Sequence, residues 1–162
     1  MAQLTTILFQ QSASANPFLS LGGAIHATEI TDASDENLFE NIGLVDAAAG
    51  ETYYRCIYLV AGAFSYSALK AWISGGTPSL GTKVYIALGT SGVDGVEQTI
   101  ADENTAPTSV IFTSPTSESS GVAIPDLLTG EHHAIWIKLV LSAGTGGYDT
   151  DYFRLSVGGV EA

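Results

Sequence analysis

Basic residues are scarce in this chain. Its 162 residues include five lysines and arginines against seventeen aspartates and glutamates, a formal net charge of -12. Proteins hold nucleic acid chiefly by neutralising phosphates, and five cations make no stripe for that purpose, so no nucleic-acid partner is expected. The same acidity repels anionic lipid. Charge of either sign is thin, at 14% of residues, where ordinary domains carry about 25%. Cysteine occurs once, at Cys56, so an intrachain disulfide framework is excluded. Cys56 lies in an apolar run with no base beside it and reads as a small buried hydrophobe. No apolar run approaches the roughly 20 residues of a membrane span, and no membrane partner is expected. Met1 to Phe9 carry no lysine or arginine and lack the long apolar stretch of a signal peptide. Ala13-Ser14-Ala15 has the look of a cleavage triplet, but what precedes it is too polar. The expectation is a soluble protein made in the cytosol that stays there or is assembled there.

Apolar residues are present in quantity, at 46%, which argues against wholesale disorder. The length suits one domain, and a chain of this size buries about 70% of its unfolded surface without a disulfide or metal. The clearest periodic segment is Thr52 to Val60. It is rich in β-branched and aromatic residues and bounded by glycine on each side. Tyr54, Cys56, Tyr58 and Val60 share one face; Tyr53, Arg55, Ile57 and Leu59 share the other. Both faces are largely apolar, as in a central strand covered on two sides. Further strand-like runs are Ala68 to Ser74, Lys83 to Leu88, Ser109 to Thr113, His132 to Leu141 and Asp151 to Val157. Thr5 to Phe9 and Leu21 to Ile30 are weaker. About eight short runs, punctuated by Gly, Pro and Ser, predict an all-β antiparallel sandwich. Ser34 is placed to cap a brief helix over Ser34 to Phe39. Gly89 to Pro107 is the longest polar connection, with no obvious strand of its own, and such loops are often functional.

Chemical constellations are few. His132 and His133 are adjacent on a strand, so they point to opposite faces and do not chelate one metal. The carboxylates form three groups: Asp32, Asp35 and Glu36; Asp94, Glu97, Asp102 and Glu103; and Asp149 with Asp151. Oxygen-rich loops hold calcium in some proteins, but none of these has EF-hand spacing. Glycoside hydrolysis needs two facing carboxylates, which spacing alone does not supply. There is no Gly-x-Ser-x-Gly elbow and no phosphate-cradling Walker loop. No cofactor, no metal and no enzymatic activity are expected.

Two segments admit alternative readings. Leu4, Ile7, Leu8 and Phe9 precede a polar stretch from Gln10 to Pro17. They form either an extended arm that completes a neighbour's sheet edge or the first strand of the chain's own domain. The domain division adopted is an arm and linker over 1–20 and one sandwich over 21–162. Trp72 and Trp136 sit mid-strand and read first as core, although Lys70 and Lys138 share their faces.

Asn37-Leu38-Phe39 with Asn41, Gly50 to Tyr58, Lys70 to Ser74 followed by Thr77-Pro78, Gln98 to Pro107, and His132 with Ile135 to Ile137 resemble a group of small virion proteins of tailed bacteriophages. The pieces extend over about residues 21–158. None is a catalytic motif. The resemblance implies an immunoglobulin-like or jelly-roll sandwich on a phage particle, with capsid surface, tail and baseplate all open as its location; the capsid decoration, or cement, type is the reading adopted. Such a protein binds the major capsid protein on the outer surface of the head, as a homotrimer, and stabilises it. One free cysteine suits assembly in a reducing cytoplasm. The contact residues expected on this reading are Leu4, Ile7, Leu8 and Phe9 of the arm and Asp102, Glu103 and Asn104 of the long loop. Removal of residues 1–16 would then abolish particle binding and leave the sandwich folded. The alternatives are a tail or baseplate accessory protein, or a carbohydrate-binding module that stacks sugar on Tyr53, Tyr66, Trp72 or Tyr148.

Overall fold

The computed structural model describes residues 7–32, 34, 37–40, 42, 44–76, 81–144 and 152–162. In chain order these form β1 (Ile7–Ser12), β2 (Gly22–Gly23), β3 (Ile25–Glu29), α1 (Leu44–Ala49), β4 (Thr52–Ala61), β5 (Tyr66–Gly76), β6 (Thr82–Leu88), β7 (Glu97–Thr99), β8 (Val122–Ala123), β9 (His132–Leu141) and β10 (Phe153–Glu161). The predicted antiparallel β-sandwich is what the chain forms. A five-stranded sheet in the order β3-β1-β4-β9-β6 packs on a three-stranded sheet in the order β10-β5-β8, and β2 pairs with β7 apart from both.

β4 lies in the middle of the larger sheet. It pairs with β9 from Thr52↔Val140 to Val60↔His132, and with β1 from Ile7↔Ala61 to Gln11↔Ile57. Its odd-numbered face builds the core between the sheets. There Tyr53, Ile57 and Leu59 meet Ile135, Ile137 and Leu139 of β9, Val84 and Ile86 of β6, and Leu69 and Ala71 of β5. Each such side chain contributes about 1.5–3 kcal/mol when removed from water. The even-numbered face makes a second cluster. Tyr54, Cys56 and Tyr58 pack with Ala134, Trp136, Ala87 and Ile100. Both faces of β4 are covered, as its composition requires. Cys56 and Trp136 are core residues of this second layer, each fully buried.

Three expectations need correction. Ile7 to Ser12 are not a free arm: β1 runs between β3 and β4, inside the larger sheet. The apolar residues at 7, 8 and 9 are retained by the chain's own sheet, because β4 needs a partner on that edge and β1 supplies it. A boundary at residue 20 therefore separates nothing. Leu4 lies outside the described residues. Ser109 to Thr113 is not a strand. Ser109 turns the chain at φ 57, Ile111 is 84% exposed, and only Thr113 bridges to Ile86. The expected helix over Ser34 to Phe39 falls partly outside the described residues, and Asn37 to Phe39 form a bend. The short helix comes later, as α1, and stops at Gly50. The Gly50 N–H bonds the Asp46 carbonyl at 3.0 Å with φ 78, a geometry that favours glycine.

A chain beginning at Ala13 should lose cooperative folding rather than merely particle binding, since β4 and β3 would each lose their shared neighbour. Circular dichroism melting checks this; an unchanged melting temperature would restore the arm.

Candidate partner interface

The long connection from Gly89 to Pro107 is the cover of β4's outer face. It leaves the end of β6 and turns at Asp94, whose N–H bonds the His132 carbonyl at 2.9 Å; the Asp94 Oδ1 accepts the His132 N–H at 3.0 Å. It then forms β7, a strand that the sequence pattern does not announce. β7 pairs with β2 through Gly22↔Thr99 and Gly23↔Glu97. Gly22 has φ 94, and a β-carbon there would lie 1.8 Å from the Gln98 carbonyl oxygen, so only glycine permits this approach. Next, Ile100 enters the outer cluster and its N–H bonds the Leu21 carbonyl at 2.9 Å. The strap ends on the part of β4 that β1 does not reach, where the Tyr54 N–H bonds the Glu103 carbonyl at 2.7 Å and Asn104 donates to the Thr52 carbonyl at 3.0 Å.

Three buried polar side chains hold the strap. The Tyr58 hydroxyl donates to the Gly23 carbonyl at 2.5 Å and accepts the Glu97 N–H at 3.0 Å. Burial pushes that phenol up to about 12. The Glu97 side chain is 2% exposed and accepts from the Thr90 hydroxyl and the Ser91 N–H, both at 2.8 Å. Burial alone would raise its carboxyl, but these bonds outweigh burial and hold it at about 2. At the far end Arg55, fully buried, donates to the Leu38 and Tyr54 carbonyls and pairs with Glu103 at 2.5 Å. Its guanidinium also lies 5.1 Å from the centre of the Phe39 ring.

The residues expected to touch a partner are thereby placed apart. Ile7 and Phe9 pack against the core, and Leu8 is half-buried beside them. Ile7 pairs with Ala61 while Asn104 sits at Thr52, about 30 Å away along β4 at 3.3 Å per residue. Asp102, Glu103 and Asn104 are engaged within the chain: Asp102 accepts from Asn104 and Thr105, Glu103 binds Arg55, and Asn104 holds Thr52. The carboxylates of the strap are likewise dispersed among separate partners and do not converge.

Pattern reading missed another surface. Phe64, Val93, Leu128 and Val160 are 42%, 36%, 63% and 59% exposed. They come from four different loops or strand ends that meet at one end of the sandwich. Ser65 bonds Thr129, Gly130 bonds Ala61, Asp94 bonds His132, and Ala162 bonds Ser65. The loops thus bring four exposed apolar residues to the same end of the sandwich, and contiguous apolar surface marks interaction sites more often than scattered residues do. No residue of this group belongs to a periodic segment core, so only the assembled loops reveal it.

No protein-family model, no curated protein and no solved structure matches the chain.

Glu97 gives the strap a pH dependence. Its carboxyl titrates near 2 in the fold, against an ordinary value of 4.5. A carboxyl lowered by folding stabilises the fold above its unfolded value, and that contribution, about 3 kcal/mol, is lost as the pH falls from about 4.5 to about 2. Melting temperatures across this range should fall for the wild type. Glu97→Gln should be less stable at pH 7 and show a flatter decline below pH 4.5.

Proposed function

We propose that this protein is a structural component of a tailed-phage virion, and specifically a capsid decoration protein that binds the major capsid protein and stabilises the head. The observation that carries the reading is the apolar loop end formed by Phe64, Val93, Leu128 and Val160, a surface fit for another protein. Three features support it. Both faces of the central strand are filled by the chain itself, so the sandwich stands without a partner and presents its loops. The segments that resemble phage virion proteins are the ones that build β4, β5, the strap and β9. The acidic balance keeps such a protein from competing for packaged DNA.

In this proposal the contact moves from the residues of β1 to the loop end, since β1 is occupied in the sheet. Burial of the loop end against a neighbour adds stability to the particle by mass action. A homotrimer remains the proposed assembly, seated at symmetry points of the outer capsid surface.

Light scattering of the purified protein, followed by sedimentation with capsids that lack it, tests the proposal. A trimer that co-sediments with capsids is expected. Phe64→Asp combined with Leu128→Asp should abolish co-sedimentation at unchanged melting temperature. A monomer that ignores capsids would overturn the head location and direct attention to tail particles.

A further inference from the structure

The outer face of the three-stranded sheet offers a second surface of a different chemistry. Leu69, Ala71 and Ile73 of β5 face the core, so Lys70, Trp72 and Ser74 face outward. Phe153, Leu155 and Val157 of β10 face the core, so Ser156 and Gly158 face outward beside them. The register sets Trp72 against Ser156 and Lys70 against Gly158. Trp72 is only partly buried, unlike Trp136.

Gly158 is the floor of this face. A β-carbon built on it would lie 2.9 Å from Glu118 Oε1 and 3.0 Å from Trp72 Cη2. The carboxylate and the indole edge thus converge over a position that carries no side chain. Glu118 arrives from the 3-10 turn Glu118–Ser120, which packs on β5. Its neighbours Ser117 and Ser119 join hydroxyls at 3.0 Å, and Ser74 and Ser156 do so at 2.5 Å across the strands. An open groove runs alongside, lined by Ala68, Lys70, Ser117, Glu118 and Ser119. Among the described residues the Glu118 carboxylate and the Lys70 ammonium have no hydrogen-bond or ion-pair partner. The buried charged side chains Arg55 and Glu97, by contrast, are fully engaged.

We propose that this face, centred on Trp72 and Glu118 over Gly158, binds a neutral oligosaccharide. A pyranose presents an apolar C–H face and a rim of hydroxyls. The indole accepts the first by stacking. The carboxylate accepts hydrogen bonds from the second, the Lys70 ammonium donates to it, and the serine hydroxyls do either. A net charge of -12 disfavours anionic polymers, which selects neutral sugars over acidic ones. Tyr53 and Tyr66, both at most 7% exposed, present no such platform, and Tyr148 lies outside the described residues.

The two tryptophans make the test direct. Trp136 is fully buried, so a collisional quencher such as acrylamide reads Trp72. Neutral hexasaccharides of glucose, N-acetylglucosamine and mannose are titrated into the intact protein. At least one is expected to shield Trp72 from quenching with saturable binding. Trp72→Ala, followed by calorimetry with that sugar, should weaken binding at least about tenfold, the scale of one aromatic contact. Glu118→Gln should weaken it less, and Gly158→Val should block it by displacing both groups. Melting temperatures of the three variants report whether the sheet is intact. Absence of shielding by every sugar, or equal binding by wild type and a folded Trp72→Ala, overturns the proposal. Because the readout is sugar binding by the isolated protein, its failure is distinct from failure to bind capsids.

Discussion

A central strand that is apolar on both faces cannot leave either face in water, and the rest of this molecule follows from that constraint. Between Tyr53 and Ala61 all residues of β4 except Val60 are buried. The smaller sheet covers one face. A second sheet on the other face would need further long strands, and this chain instead lays a strap across it. The strap contributes few apolar side chains of its own, so it is held by polar bonds. Tyr58 reaches through the outer cluster to bond both Gly23 and the Glu97 N–H, which ties β4, β2 and β7 together at one oxygen. A buried phenol left without those bonds would cost about 1–3 kcal/mol, so the strap and β4 stabilise each other.

The scarcity of cations has a structural side. Of five basic side chains, Arg55 is consumed inside the fold, where it bonds two carbonyls and Glu103. Lys138 lies 5.2 Å from the Tyr85 ring and 5.7 Å from the Phe112 ring, on the same outer face that the strap covers. Removing one partner of a buried charged pair leaves the other uncompensated, a loss of about 3–5 kcal/mol. Arg55 is thus a stability element, and the surface is left acidic with few positive points. Lys70, unpaired beside Trp72, stands out against that background.

How much of this was legible depends on where the information resides. β4, β6, β9 and most of β5 and β10 could be read because runs of β-branched and aromatic residues end at glycine or proline. The two-faced burial of β4 was legible for the same reason. β7 was not, because Glu97-Gln98-Thr99 is polar and takes its strand form from pairing with two glycines far away in sequence. The Glu97 carboxylate looks like any loop acid until Thr90 and Ser91 are seen around it. Ser109 to Thr113 has strand composition, but Ser109 adopts a left-handed turn and the segment serves as cover. Ile7 to Phe9 carried both readings, and only the register with β4 decides between them. The apolar loop end was not legible, since Phe64, Val93, Leu128 and Val160 are single exposed residues on loops and strand ends that come together only in the fold.

The two open surfaces are geometrically compatible. β10 passes through both: Val160, opposite Ser67, belongs to the apolar end, while Ser156, opposite Trp72, belongs to the polar face. Four residues of strand separate them, about 13 Å. The loop end terminates the sandwich, whereas the Trp72 face is its flank. A protein seated end-on against Phe64 and Leu128 therefore need not cover Trp72, and in a symmetric assembly built through the ends each copy would turn its flank outward. Apolar residues at the end suit a large, dry protein contact. An indole with unpaired polar groups suits a small hydrated ligand, because each of its hydrogen bonds exchanges with water and only the stacked surface is dried. On the two proposals together, the chain would be fixed by one surface and bind sugar with the other, with β10 shared by both.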